Sequence, residues 1–230
     1  RMEYPGALYH VTSRGNGRQR IFTEDRDYER FLGQLADNLE TYAVILYAYV
    51  LMPNHYHLLV RTPRANLARF MQRLNTSYAL YYRWRHARPG HVLQGRYKAK
   101  MVEGDNYILR LTRYIHLNPI RTEAGRRLTP VERVGAMEEY RWSSYGGYGA
   151  LKKREPFICY DGLKYCGTGT GAARAYRRYT RSMVNGDDEE LRDQLKDAWA
   201  IGGEEYVSHV HAKLRSKRRG QKRDVDLPAD

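Results

Sequence analysis

Two cysteines, Cys159 and Cys166, are all that this 230-residue chain contains. They can build neither a disulfide framework nor a four-thiolate zinc site, so a reducing compartment is the expectation. Phenylalanine is scarce, with 4 copies against 21 tyrosines. No apolar run approaches the roughly 18 residues that a membrane-spanning helix needs; the richest, Ala43 to Met52, is too short. No charged segment, apolar core and cleavage site of a secretory leader is visible, and Arg1 ahead of Met2 reads as an addition or as the mark of a trimmed chain. A cytoplasmic location without membrane contact is therefore expected. A Gly-x-x-x-x-Gly-Lys-Ser/Thr loop is also missing, which speaks against nucleotide-driven chemistry.

The most informative absence is of one charge sign. From Thr41 to Val102, 62 residues, there is no Asp or Glu, while ten Lys and Arg fall in the same stretch. The whole chain carries 40 basic and 26 acidic side chains, a formal charge of +14. A surface of one sign attracts polyanions and does not repel phosphates. Tyr78, Tyr81, Tyr82, Trp84 and Tyr97 lie among these cations, and aromatics between cations suit stacking on unpaired bases. The competing reading puts the tyrosines in the core, where Phe would otherwise sit. A second basic cluster runs from Lys213 to Arg223 and serves equally as a solubilising tail or a binding arm.

Ala7 to Ser13 alternates as a strand and ends at a Gly15-Asn16-Gly17 loop. Thr23 is the expected N-cap of a helix with Glu24, Asp25 and Asp27 in its first turn and Tyr28, Phe31, Leu32, Leu35 and Leu39 as its apolar stripe. Ala43 to Met52 and His55 to Arg61 form a hairpin across Pro53-Asn54. A long helix follows from Asn66 to about His86, then a strand from Tyr97 to Val102. Asp105 is the expected cap of a helix from Asn106 to Leu117, stopped by Pro119. The order β-α-β-β-α-β-α predicts an α+β fold, a ferredoxin-like antiparallel sheet with helices on one face. Residues 1–122 are expected to form the main domain. Residues 123–230 are expected to add an extended segment around Arg141 to Tyr145 and its following glycines, then helices near Ala172 to Met183, Asp188 to Trp199 and Glu204 to Leu214.

On a strand, His55 and His57 share a face and Tyr56 takes the other. Two imidazoles side by side can bind a divalent cation; they can equally be a structural pair. On the following helix, Tyr114 and Asn118 are four apart and share a face, with Tyr107 and Leu111 continuing it, while His116 points elsewhere. Packed on the sheet, that helix can bring Tyr114 over the histidines and offer the Asn118 carbonyl as a third ligand. Imidazole with hard oxygen suits Mg²⁺ or Mn²⁺ with positions left for phosphate oxygens, and suits Zn²⁺ less. A buried core tyrosine and a helix-terminating Asn-Pro are the alternatives for these two residues.

At this point the chain resembles a known family. Met52-Pro53-Asn54-His55-Tyr56-His57-Leu58-Leu59-Val60 is similar to the His-hydrophobic-His signature of HUH single-tyrosine transposases. Gln94-Gly95-Arg96-Tyr97-Lys98 and Arg113 to Arg121 resemble two further blocks of that group, and Tyr4 to Val11 and Arg141 to Tyr145 resemble its REP-associated branch. The resemblance implies an HUH endonuclease fold and ATP-independent cleavage and rejoining of single-stranded DNA at hairpin-bearing repeats. It implies His55 and His57 as metal ligands, Tyr114 as the nucleophile forming a 5′-phosphotyrosine, and Asn118 where insertion-sequence relatives carry a Gln ligand. By analogy Arg14, Arg69, Arg73, Arg83 and Arg85 would grip the hairpin or its flanking strand, with Arg96 and Lys98 near the scissile phosphate. A monomer and a homodimer both remain open. The alternatives are an inactive hairpin DNA- or RNA-binding regulator, and a phosphodiesterase using water with Tyr114 structural.

Overall fold

The computed structural model describes residues 2–104 and 106–223, so the cap expected at Asp105 lies outside the described residues. In chain order the elements are β1 (Ala7–Arg14), α1 (Asp25–Tyr42), β2 (Ile45–Met52), β3 (His55–Thr62), α2 (Leu67–Arg85), β4 (Lys98–Val102), α3 (Asn106–His116), α4 (Glu123–Arg126), α5 (Pro130–Glu139), α6 (Tyr145–Tyr148), α7 (Gly169–Arg181), α8 (Glu189–Asp197), β5 (Ala200–Ile201) and α9 (Glu204–Arg223). The strands form one sheet in the order β2-β3-β1-β4-β5. Its first four strands pair antiparallel, as the ferredoxin-like reading expects, and β5 joins parallel to β4. That short fifth strand was not legible in the sequence, because two residues carry no period.

Side-chain alternation divides the core between the two faces of the sheet. Tyr9, Val11, Tyr56, Leu58 and Val60 point toward α1 and α2, where they meet Phe31, Leu35, Phe70, Leu74 and Tyr78. Leu8, Leu59 and Val102 point the other way, toward Ile108, Leu111 and Ile115 of α3. A bulge between Leu46 and Ala48 sends Tyr47 and Ala48 both to the α3 side. Burying each such Leu, Ile or Phe contributes about 1.5–3 kcal/mol. So α1 and α2 cover one face while α3 lies on the opposite one, beside the histidine positions of β3.

The start of α1 differs from expectation. Glu24, not Thr23, is the N-cap, within a capping box with Asp27. Asp27 is fully buried; one carboxylate oxygen accepts the Thr23 and Glu24 amide N–H groups at 2.8 and 3.2 Å, and the other meets Tyr81 Oη at 3.2 Å and His86 Nε2 at 2.9 Å. Asp27 thereby ties down the backbone at and just before the cap, and the hydroxyl of Thr23 instead meets Tyr82 Oη at 2.8 Å.

The C-terminal region packs against this layer. The segment around Arg141 is extended only briefly: Ser143 bridges Val50, and Leu51 donates to the Trp142 carbonyl at 2.9 Å, before Tyr145 turns helical. Trp142 stacks on Tyr28 with ring centroids 4.4 Å apart. His116 on α3 is fully buried between Tyr176 Oη, 2.6 Å from Nδ1, and Ser144 Oγ, 2.8 Å from Nε2. This network fixes the rotation of α3 about its axis, and with it the direction of Tyr114 two residues earlier.

Burial pushes His116 down to about 3, so it stays neutral in the fold. The unfolded chain takes up a proton there near pH 6.5 and the folded chain does not. Stability from this site is therefore complete above pH 6.5 and lost progressively as pH falls toward 3. Thermal melts should show the midpoint falling from pH 7 to pH 4, with a shallower slope in His116→Gln. Parallel slopes for both chains would remove His116 as a cause.

Candidate active site

The sheet brings three histidines together. Thr12 pairs with His57 and Arg14 with His55 in the β1–β3 ladder, so His10, Thr12 and Arg14 lie on the face that carries the two histidines of β3. His55 and His57 have ring centroids 5.1 Å apart. His10 stacks on His57 at 5.1 Å with 17° between planes, and its Nε2 lies 2.9 Å from His57 Nδ1. The ring of Tyr114 comes down from α3 edge-on to both, 6.0 Å from His57 and 5.9 Å from His10. Arg121, just past the Asn118-Pro119 turn, places its guanidinium 5.1 Å from the Tyr114 ring centroid.

Each imidazole of β3 has Nδ1 engaged. His55 Nδ1 lies 2.7 Å from Asn54 Oδ1, an acceptor that requires the proton on Nδ1. Asn54 thus serves both as the hairpin turn and as the group that orients His55. If His57 likewise donates from Nδ1, to His10 Nε2, both rings leave Nε2 as a bare lone pair. Burial pushes His55 down to about 4, helped by Arg14, and pushes His57 well below the ordinary range, helped by His10, His55 and Arg14. Burial also holds His10 at about 3, helped by Lys100. All three rings are neutral at pH 7, which is the state a metal requires of imidazole.

Asn118 spends its amide nitrogen on the Tyr114 and Ile115 carbonyls, at 2.9 and 3.3 Å. Its Oδ1 is the atom left for another partner. Imidazole nitrogens and an amide oxygen are both donor types that divalent cations accept.

Burial raises Tyr114 above the ordinary phenol value, Arg121 opposes that rise, and Asp187 adds to it. Burial in turn lowers Arg121, with Tyr114 and Asp187 acting in the other direction. Asp188 receives Arg110 Nε at 2.7 Å and Arg113 Nη2 at 3.2 Å, holding the start of α8 against α3. Lys100 Nζ donates to the Gln194 carbonyl at 2.9 Å and also to the Ala198 carbonyl, closing the site on its β4 side.

Of the cations named from sequence, Arg14 and Lys98 stand on the face of the histidines: Arg14 opposite His55, and Lys98 in register with Thr12. Arg96 is exposed in the loop before β4. Arg69, Arg73, Arg83 and Arg85 sit on α2, on the other side of the sheet, and Arg85 is paired with Glu24 at 2.9 Å. The aromatics among them are mostly core: Tyr78, Tyr82 and Tyr97 are buried, and Tyr81 is half-buried on Asp27. His10 and Arg121 were missed as site residues. For His10 the signal was its place in the alternation of β1; for Arg121 there was none beyond adjacency to the Asn-Pro turn.

A second group, Glu24, Asp27 and His86, gathers ligand atoms within 4.8 Å. Its Asp27 oxygens are already taken up by the capping amides and by His86, so helix capping accounts for the cluster. Among the described residues no helix is long and apolar enough to cross a membrane.

The family of IS200-like transposases matches residues 4–118, a segment that contains both β3 histidines, Tyr114 and Asn118. The chain belongs to that family. No curated protein sequence matches it. Among solved structures it is similar to a REP-associated tyrosine transposase bound to a REP hairpin, at 14% identity and TM-score 0.52, covering 69% of this chain and 88% of that one. A weaker similarity, at 20% identity and TM-score 0.38, links it to a transposase candidate from Deinococcus radiodurans, over 50% of this chain and 92% of that one. The first of these likenesses shows a shared fold.

Proposed function

We propose that this chain cuts and rejoins single-stranded DNA at hairpin-forming repeats through a covalent bond to Tyr114, with residues 1–122 carrying the chemistry and 123–230 bracing α3. The observation that carries the reading is the pairing of both β3 imidazoles through Nδ1, beneath a tyrosine ring. His55 and His57 through Nε2, and Asn118 through Oδ1, would hold Mg²⁺ or Mn²⁺. Bound there, such an ion supplies Lewis-acid polarisation of the phosphate.

The chain's own groups perform the rest. Arg121 lowers the cost of charge on the Tyr114 oxygen, whose phenol is otherwise a poor nucleophile at pH 7. Tyr114 Oη bonds to phosphorus, the bond from phosphorus to the 3′ oxygen breaks, the phenol gives up its proton and the 3′ oxygen takes one up. A 5′-phosphotyrosine and a free 3′ hydroxyl result. The ester-bond energy stays in the intermediate, so rejoining needs no ATP. Arg14 and Lys98, on the same face, are placed to meet backbone phosphates.

Incubation with a labelled single-stranded hairpin oligonucleotide and Mn²⁺ or Mg²⁺, followed by detergent denaturation, tests this. Label retained on the protein supports the reading. Cleavage without an adduct would assign the reaction to water, and binding without cleavage would leave a hairpin-binding regulator.

His10 enters the reading as a positioning residue. With the proton on His57 Nδ1, His10 Nε2 accepts it at 2.9 Å and leaves the Nε2 lone pair of His57 for the site. We expect His10→Ala to weaken Mn²⁺ binding by about 10–100-fold, as loss of an outer hydrogen-bond partner does. Titration calorimetry without DNA reads this directly, and His10→Gln, which keeps an acceptor, should recover part of it. Unchanged Mn²⁺ affinity in His10→Ala would end the assignment.

A further inference from the structure

One aromatic among the cations remains open to solvent. Trp84, near the end of α2, is 82% exposed, and Leu80 one turn earlier is 59% exposed. The two lie one helical turn apart and form a small apolar spot rimmed by charge. Arg69, Arg73, Thr76 and Leu80 recur at three- and four-residue steps, and Arg83 and Trp84 follow three and four residues after Leu80, giving one exposed stripe about 22 Å long at 1.5 Å per residue. Between this stripe and α1 lies a groove of about 730 Å³, walled by Arg26, Arg30, Arg73, Leu80 and Trp84.

The charge of the groove settles what fits it. Its one carboxylate, Glu29, is held by Arg141 at 2.8 Å, and neighbouring Asp25 and Glu24 are held by Arg141 and Arg85 at 2.7 and 2.9 Å. Arg26, Arg73 and Arg83 have no carboxylate partner among the described residues. Arg141 and Arg85 offset two of these three acidic charges, and Arg26, Arg73 and Arg83 outweigh the third, so the surface stays net positive, which suits an anionic chain.

The groove also leads to the active-site edge of the sheet. A cleft of about 510 Å³ shares Thr76 and Leu80 with it and runs past Arg83 and His91 to Asn16 and Gly95. There Gly15 bridges Leu93, and Gln94 donates to the Arg14 carbonyl at 2.8 Å. Gly15 is obligatory at that crossing, because a Cβ would lie 2.0 Å from the Gln19 carbonyl oxygen.

We propose that Trp84 stacks an unpaired base of single-stranded DNA while Arg73 and Arg83 hold its phosphates, so that the strand leaving the active site is carried round the sheet edge onto the outer face of α2. This deepens the single-stranded reading of function by naming where the strand runs. Stacking of one base on an aromatic ring accounts for about 1–3 kcal/mol, or about 5–150-fold in affinity.

The test uses the full chain with dT12, an oligonucleotide without hairpin, in EDTA. It therefore needs neither metal nor Tyr114, and a failure of cleavage chemistry leaves it standing. Wild-type protein should bind dT12 with quenched tryptophan emission. Trp84→Ala should bind at least about 5-fold more weakly, and Trp84→Phe should keep most affinity while losing the quench. Arg73→Ala and Arg83→Ala should each reduce the salt slope by about one. Because Trp84 is exposed, melting temperatures should be unchanged. Equal dT12 affinity in wild type and Trp84→Ala overturns the proposal. So does a change of sedimentation from dimer to monomer in Trp84→Ala without loss of dT12 binding, which would make the indole a protein contact.

Discussion

Tyr114→Phe is expected to abolish the detergent-stable DNA adduct and to reduce cleavage by about 10³-fold or more, because one oxygen supplies the whole covalent step. Removing that oxygen costs little else. The ring keeps its edge contacts with His10 and His57, so hairpin binding and Mn²⁺ affinity should stay within about 2-fold of the parent. Raised by burial and opposed by Arg121, the phenol of the parent should also react faster as pH rises from 6 toward 9. The outcome that sinks the nucleophile assignment is cleavage by Tyr114→Phe at the parental rate. Water would then be the attacking group, and Tyr114 would be a packing residue over the histidines.

His57→Ala carries the second large effect. It removes one of two imidazole ligands and strands His10 Nε2, 2.9 Å away, without its partner. Mn²⁺ binding should fall beyond the ~10–100-fold expected for loss of an outer partner alone, and cleavage should become undetectable. Hairpin binding measured in EDTA should persist within about 3-fold, since the cations of α2 lie across the sheet. An unpaired buried acceptor costs about 1–3 kcal/mol, so a fall in melting temperature accompanies the change. His57→Gln separates the two effects, because its amide can still meet His10 while offering a poorer ligand geometry. Equal loss of hairpin binding and cleavage in both variants, with the fold intact, would count against a catalytic role for His57.

The predictions also separate two faces of the molecule. Tyr114 and His57 report on the face under α3. His10 reports on the orientation of one ring within it. Trp84 reports on the outer face of α2, and responds without metal. A regulator that only held DNA would respond to Trp84 and the α2 arginines, and not to the histidines.

Local pattern was enough for much of this. The alternation of β1 and β3 put His55 and His57 on one face and Tyr56 on the other, because strand period is fixed by backbone geometry. The four-residue step from Tyr114 to Asn118 predicted a shared helical side, but α3 ends at His116 and Asn118 opens a 3-10 turn, its amide nitrogen folding back onto the Tyr114 and Ile115 carbonyls. The charge imbalance between Thr41 and Val102 was a property of composition alone. The first turn of α1 was misread at one residue, since the Asp27 carboxylate takes up the Thr23 and Glu24 amides and fixes the helix start one residue later.

Tertiary structure decided the rest, because it depends on which strands become neighbours. His10 and His57 are 47 residues apart in the chain, and only the antiparallel register of β1 on β3 makes them bond. The placement of α2 and α3 on opposite faces splits the basic residues into those beside the histidines and those beyond the sheet, a division no window of sequence contains. The same packing buried Tyr78, Tyr82 and Tyr97 and left Trp84 bare, which turned a run of aromatics into a single exposed ring. Periods and charges are written along the chain; proximity between distant segments exists only once the chain has closed on itself.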